Sequence, residues 1–348
     1  MIFNLILYGK NEFYKNLNNK KYHILVVDNN EKIEYMNKIF EEFNRYKDTI
    51  IGLDFEFRKI SKQNREIALA QINLENNNTN AYIFIFYPPH LTNKKILLNL
   101  LCNNKIIKVL HGGESLDIPY LFNELFDNNK NIIKKFIINL YDTKFLCEYS
   151  HIINNVNKKC SIYNLLEEYK IIDQKNVKKL ENLEKNMGKI YLVRFDINNL
   201  SEDLINYALY DVIYLPELIK KFIISSNSIN KIISEFTGII YYLKRVNEID
   251  NLSKIVNQYN NNYILISNEN VNLNEIFNYY YKNNPNNLLI KLSNITYFKH
   301  YIKNIIKYII YKIICDKYKI KINLPKLNKY LLNNSNIINF INKNTFKK

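Results

Sequence analysis

Two carboxylates sit two residues apart in an otherwise apolar run, "IIGLDFEFRK", from Ile50 to Lys59. The run reads as a buried strand. Positions i and i+2 of a strand share a face, so Asp54 and Glu56 stand side by side. Like charges together in a half-buried strand repel and are costly to desolvate. Something positive must compensate, either a basic side chain or a bound cation. Two further acidic positions stand out. In "KVLHGGESLDIPYLFNEL" an apolar strand ends at His111, the pair Gly112–Gly113 turns the chain, and Asp117 precedes a helix. In "NYALYDVIYLPEL" Tyr207 and Asp211 are four apart, so they share a helical face with Leu204, Ala208 and Leu215. That face points inward, and an inward Asp needs a partner.

Each position also has a plainer reading. Asp-x-Glu often marks a solvated strand face. Asp117 could be a helix cap, with Pro119 in the first turn. Tyr207 and Asp211 could be a surface hydrogen-bonded pair. His111 reads first as a packed or capping histidine. Gly112 and Gly113 allow close backbone approach, to a substrate or simply for a tight turn.

The elements that must position these residues follow from periodicity. "YHILVVD" reads as a strand and "NEKIEYMNKIFEEFNRYKD" as a helix. "TIIGLDFEF", "REIALAQINLE" and "AYIFIFYPP" read as an antiparallel meander. "KKILLNLLCNN" is helical, and "KIIKVLHGG" suits a central buried strand. The chain then turns helical through "IPYLFNELF", "YDTKFLCEYS", "IYNLLEEYK" and "SEDLINYALYDVIYLPELIKKF". Strands first, then mainly helices with one returning strand, imply an α/β (α+β) fold, a mixed sheet covered by helices. The pattern changes near residue 225. Beyond it, "YIKNIIKYIIYKII" places isoleucines from Ile302 to Ile314 on one helical stripe.

The chain has 348 residues, 47% of them hydrophobic, enough for a sizeable core. Its net charge of +16 is uneven. Residues 226–348 hold 18 Lys and Arg against 6 Asp and Glu. A basic C-terminal part suits a polyanionic partner, nucleic acid before membrane, although frequent Lys, Asn, Ile and Tyr also follow from A- and T-rich codons. The four cysteines, Cys102, Cys147, Cys160 and Cys315, form no CxxC pair and show no metal-type Cys/His spacing. Neither a disulfide framework nor a zinc module is expected, and a reducing intracellular compartment is the simple reading. The N-terminal apolar run is too short for a signal peptide, and no apolar stretch is of membrane-spanning length. These features describe a soluble protein of cytoplasm or nucleus, not secreted.

Asp54 and Glu56 on a strand, Asp117 at a loop–helix start, and Tyr207 with Asp211 on a later helix form an ordered set. The set resembles the DEDD superfamily of 3′–5′ exonucleases, in its DEDDy subgroup, with RNase D and Werner-type exonuclease domains as the nearest likeness. The motifs are "GLDFEF" with "REIALAQI", then "KVLHGG…LDIPYLF", then "YALYD", over about Tyr22 to Phe222. Several RNase D-like members carry the second acid one residue nearer the His–Gly turn, where this chain has Leu116. Asp117 therefore follows a one-residue insertion, and Glu114 is the other candidate. The resemblance implies an RNase H-like sheet within residues 1–225, while charge and periodicity make 226–348 a basic, mainly helical region of unknown role. It implies a metal-dependent exonuclease acting on a free 3′ end of DNA or RNA and releasing 5′ nucleoside monophosphates. Two divalent cations, Mg²⁺ or Mn²⁺, would be held by Asp54, Glu56, Asp117 and Asp211. Tyr207 would aim the attacking water, with His111 and Gly112 near the substrate. The alternative is a nucleic-acid-binding or partner-recruiting scaffold in which the exonuclease site is secondary. A retained full acidic set argues against it, since buried carboxylates without a cation destabilise a fold.

Overall fold

In the computed structural model, residues 6–9, 11–61, 65–77, 80–114, 116–153, 158–193 and 195–225 are described, with 156, 234, 237, 238, 241, 264–266 and 269–271. The chain divides into two compact units. One comprises residues 1–144 and 161–227, the other 145–160 and 228–348. The second unit contains a short antiparallel pair, Ile264–Ile266 with Glu269–Val271. The isoleucine stripe and most of the basic C-terminal part lie outside the described residues.

The first unit is built on an eight-stranded mixed sheet. Strands β1 (Ile6–Gly9), β2 (Glu12–Leu17) and β3 (Lys20–Val27) form one antiparallel run. Strands β4 (Ile50–Lys59), β5 (Arg65–Glu75) and β6 (Asn80–Phe86) form a second, the meander expected from their alternation. Strands β7 (Ile107–Leu110) and β8 (Leu140–Asp142) return parallel to β4. The spatial order is β1-β2-β3-β6-β5-β4-β7-β8, with β3 and β6 also parallel.

β1 and β2 extend the sheet by two strands. Two sequence expectations need correction. β7 lies between β4 and β8, so it is interior but next to the sheet's end rather than central. "YDTKFLCEYS" begins as strand β8 and becomes helix only at Thr143. Three residues are too few for a periodic signal to show.

The helices cover a sheet buried on both faces. α1 (Asn30–Phe43) starts at Asn29, whose side chain accepts from the Lys32 N–H, and buries Met36, Ile39, Phe40 and Phe43. α8 (Glu202–Ile213) starts at Ser201, which accepts from the Leu204 N–H, and buries Ile205, Ala208, Leu209 and Val212. Ile205 and Ala208 join Val26, Leu69, Ile85 and Phe195 in one apolar cluster against the sheet.

The C-terminal end of α8 is held by polar groups. Gln71, Asn73 and Glu75 lie opposite Asp54, Gly52 and Ile50, so they share the face of β4 that carries Asp54. The Asn73 amide donates to the Val212 and Ile213 carbonyls at 3.1 and 3.3 Å. These are the carbonyls that a helix end leaves without partners. Glu75 accepts from the Tyr22 hydroxyl at 2.5 Å and from Lys220 at 3.1 Å. Lys220 belongs to α9 (Leu215–Ser225). Gly52 completes the seat, because a Cβ there would meet the Val212 oxygen at 2.9 Å and Leu215 Cβ at 3.2 Å. Gly52→Ala is expected to lift the end of α8 off β4, costing about 1–3 kcal/mol as overpacking does. Chemical denaturation checks this, and an unchanged midpoint would contradict the close packing.

Candidate functional site

The site forms where β4 outruns its parallel neighbour. β7 ends at Leu110, one residue past the Val109–Gly52 pairing, and the chain turns away beside Asp54. Crevices at the carboxyl ends of parallel strands are where α/β sheets bind ligands. A bulge in the β4–β5 pairing lies immediately beyond Glu56. Bulges bend and twist strands, here just past the two acids.

The His111–Gly113 turn is fixed from β8. Asp142 accepts the Gly112 N–H at 2.9 Å and the Gly113 N–H at 3.1 Å. It also accepts the Lys144 N–H at 2.9 Å. His111 Nδ1 lies 2.9 Å from the Thr143 hydroxyl, which donates to the Leu110 carbonyl at 3.1 Å. Gly112 has φ +72°, in the left-handed region that favours glycine. Gly113 serves Asp117 directly: a Cβ there would stand 3.1 Å from Asp117 Oδ2. Asp117 opens the short helix α3 (Asp117–Tyr120), whose next N–H, from Ile118, returns to the Gly113 carbonyl at 2.9 Å.

The acids of the first and third motifs meet in space, and Asp117 lies within their electrostatic reach. One carboxylate oxygen each from Asp54, Glu56 and Asp211 lie within 4.8 Å of one another. Glu56 and Asp117 are buried, while Asp54 and Asp211 are partly buried. Burial pushes the Asp54 carboxyl up to about 7, against a hydrogen bond from the Phe55 backbone. Burial also raises Glu56, Asp54's charge adds to it, and a hydrogen bond from Tyr207 opposes it. Asp117 is raised by burial, then by Asp54, Glu56 and Asp142. Asp211 is raised by burial, then by Asp54, Glu56, Glu184 and Asp117. Glu56, Asp117 and Asp211 are thus held up by desolvation and by acidic neighbours, and Asp54 by desolvation. Tyr207 is pushed far up by burial, then by Asp211, Glu56 and Asp54, so its phenol stays protonated.

The opening choice between a basic side chain and a cation can now be narrowed. Among the described residues the ion pairs join Glu75, Glu12, Asp28 and Glu66 to their partners. None of them engages Asp54, Glu56, Asp117 or Asp211. A set of oxygen donors alone, with no lysine or arginine among them, has the chemistry of a hard divalent cation site.

Several neighbours were not evident in the sequence. Glu184 of α7 (Gln174–Met187) adds its charge at Asp211, Glu56 and Tyr207. Tyr163 of α6 (Ile162–Glu168) hydrogen-bonds Glu184, and burial followed by Asp211's charge raises its phenol. Glu184 is exposed beside buried Leu183, so its helical position carries no signal that would mark it. Past Glu56, the end of β4 and the 3-10 turn Ile190–Leu192 line an open cleft with Arg58, Lys59, Glu66 and Tyr191. Arg58 pairs with Glu66, and the Arg65 guanidinium lies 5.0 Å over the Tyr191 ring.

A family model described as 3′–5′ exonuclease matches residues 24–226. The chain belongs to the 3′–5′ exonuclease family. The matched span carries Asp54, Glu56, Asp117, Tyr207 and Asp211 together. Among curated proteins this exonuclease-family chain is similar to uncharacterized protein L533 of Acanthamoeba polyphaga mimivirus, at 31% identity over 229 residues. The match covers 60% of this chain and 44% of L533, so the chain spans less than half that relative's length. Among solved structures it is similar to the Trypanosoma brucei RNase D:GMP complex, at 18% identity and TM-score 0.47, over 64% of this chain and 63% of that one. It is also similar to Escherichia coli RNase D, at 19% identity and TM-score 0.45, over 69% and 54% of the two chains. No helix among the described residues is long and apolar enough to cross a membrane.

Proposed function

We propose that this chain hydrolyses DNA or RNA from a free 3′ end and releases 5′ nucleoside monophosphates, using residues 1–225 as its exonuclease domain. The observation that carries this reading is the gathering of Asp54, Glu56 and Asp211 within 4.8 Å, with Asp117 in their field. All four donors are hard carboxylate oxygens, which fit Mg²⁺ or Mn²⁺. Two such ions would supply Lewis acidity at the scissile phosphate and a water acidic enough to attack near neutral pH.

The protein's own groups do the remaining work. Asp54 would serve both ions, with Glu56 and Asp211 at the first and Asp117 at the second. The Tyr207 hydroxyl, hydrogen-bonded to Glu56, orients the attacking water rather than removing its proton, since burial keeps that phenol protonated. Glu184 and Tyr163 supply a further acceptor–donor pair beside Asp211. His111 and Gly112 stand beside the bound nucleotide in this reading. Gly112's N–H is committed to Asp142, so its part is to keep the turn. Arg58, Lys59 and Arg65, with the Tyr191 ring, suit the strand that leads to the site, as cations and an aromatic face do for single-stranded nucleic acid.

Tyr207→Phe is expected to lower kcat by about 10²–10³-fold, the size of a lost transition-state hydrogen bond. Mn²⁺ affinity should change much less. Single-turnover kinetics with a Mn²⁺ titration separate the two effects. An equal loss in both would make Tyr207 a shaper of the metal site instead.

Parallel digestion of 3′-labelled and 5′-labelled DNA and RNA oligonucleotides, with and without Mn²⁺, tests the function. The 3′ label should appear first as a mononucleotide, and only with metal. The 5′-labelled strand should shorten one nucleotide at a time. Internal cuts, or mononucleotides from the 5′ end, would refute the assignment.

A further inference from the structure

The expectation that the cysteines stay apart is overturned. Cys147 and Cys160 form a disulfide, with Cα atoms 5.8 Å apart and a sequence separation of 13. His151 lies against both sulfurs: its Nε2 is 3.6 Å from Cys147 Sγ and its Nδ1 is 3.4 Å from Cys160 Sγ. All three side chains are buried, His151 to 3% exposure. The sequence signal was Cys147 and His151 four apart on helix α5 (Thr143–Ile153), which places both on one face.

We propose that, in the dithiol form of the protein, Cys147, His151 and Cys160 bind a thiophilic divalent cation, Zn²⁺. The spacing fits. Tetrahedral zinc, with Zn–S of about 2.3 Å and Zn–N of about 2.0–2.1 Å, separates a sulfur from a nitrogen ligand by roughly 3.6 Å. His151 Nε2 stands 3.6 Å from Cys147 Sγ. One donor atom from each of the three side chains lies within 4.8 Å of the others. The ring is also oriented: His151 Nδ1 is 3.1 Å from the Lys158 carbonyl. A proton on Nδ1, donated to that carbonyl, makes Nε2 the ligating nitrogen, as carbonyl partners of ligating histidines do. Two thiolates and an imidazole select Zn²⁺ over Mg²⁺ or Mn²⁺, the reverse of the carboxylate site. Three protein ligands leave the fourth tetrahedral position for water or another donor.

The two states exchange by balanced chemistry. A phosphine reductant breaks the S–S bond and becomes its oxide with the oxygen of one water, while that water's two protons go to the two sulfurs. Zinc binding then releases both protons. Either link, the covalent bond or the ion, closes the same 147–160 loop. The ion thereby keeps this loop joined in a reducing compartment, where the disulfide would not persist.

The test uses the full chain, reduced with a phosphine under nitrogen and titrated with Co²⁺. The expected result is a near-ultraviolet thiolate-to-cobalt charge-transfer band that saturates at one equivalent and is abolished by Zn²⁺. Cys147→Ser and Cys160→Ser should each weaken or remove it, and His151→Gln should weaken Co²⁺ binding by at least ~10-fold. Asp54→Asn should leave the band intact, because carboxylate ligands give no such transition. Failure here and failure of the exonuclease reading are therefore distinguishable. Should the cysteine variants not fold, the wild-type chain still answers: Zn²⁺, and not Mg²⁺, should protect Cys147 and Cys160 from alkylation. No charge-transfer band in the reduced wild type, or equal alkylation with and without Zn²⁺, would overturn the proposal and leave a disulfide only.

Discussion

Asp54→Asn is expected to reduce metal-dependent cleavage by about 10³-fold or more while raising the Tm of the metal-free protein at pH 8. The two effects share one cause. Asp54 acts on Glu56, Asp117 and Asp211 alike, so its charge is the one each of the others feels. Removing it takes away the donor that the proposed mechanism assigns to both cations. Several kcal/mol of transition-state stabilisation rest on such ions, and each 1.36 kcal/mol is tenfold in rate. Removing it also relieves repulsion and desolvation that the empty site must bear. Initial rates on a 3′-labelled strand and a melting curve in EDTA read the two consequences. A variant that loses activity and also loses metal-free stability would make Asp54 a structural residue.

The metal-free protein should lose stability as pH rises from about 4 to about 7, and a divalent cation should reverse the trend. The sign follows from the raised carboxyls. An unfolded Asp ionises near 3.9, while folded Asp54 keeps its proton to about 7. Between those values the native state binds more protons, so unfolding becomes easier as pH rises. The stabilisation is full below the unfolded pKa and lost through the folded one. For Asp54 alone the change is on the order of a few kcal/mol. Buried Lys15 and Lys108, each pushed down to about 7 by burial, act with the opposite sign above that window. They are common to wild type and Asp54→Asn, so the difference between the two isolates the acid cluster. The Tm gain from saturating Mn²⁺ should be larger at pH 8 than at pH 5. An equal gain at both would mean that the ion binds elsewhere.

The acids were legible because chemistry restricts them. Carboxylates inside apolar runs are rare, and three such places in order narrow the field. The meander was legible because β4, β5 and β6 are long enough for their periodicity to show. What escaped was polar sequence that is buried through partners. "QINLE" in β5 alternates as a solvent-facing strand would, yet Gln71 and Asn73 are fully buried, and Asn73 anchors the carbonyl end of α8. Asp142 lies in a three-residue strand, and its role depends on two N–H groups thirty positions earlier. Glu184 is separated from Asp211 by an intervening turn and helix start, and only packing brings its charge there. The cysteine cluster escaped because Cys160 follows a loop whose path no local pattern sets. The basic C-terminal part carries its charge visibly in sequence, but its arrangement lies outside the described residues.

The most direct test of the central claim is anomalous diffraction from crystals of the full chain soaked in Mn²⁺ with a nucleoside 5′-monophosphate. The expected result is a manganese peak among the carboxylates of Asp54, Glu56 and Asp211, with the nucleotide's phosphate beside it and a second ion toward Asp117. A bound nucleotide with no manganese among these carboxylates, in protein whose nuclease activity requires Mn²⁺, would contradict it.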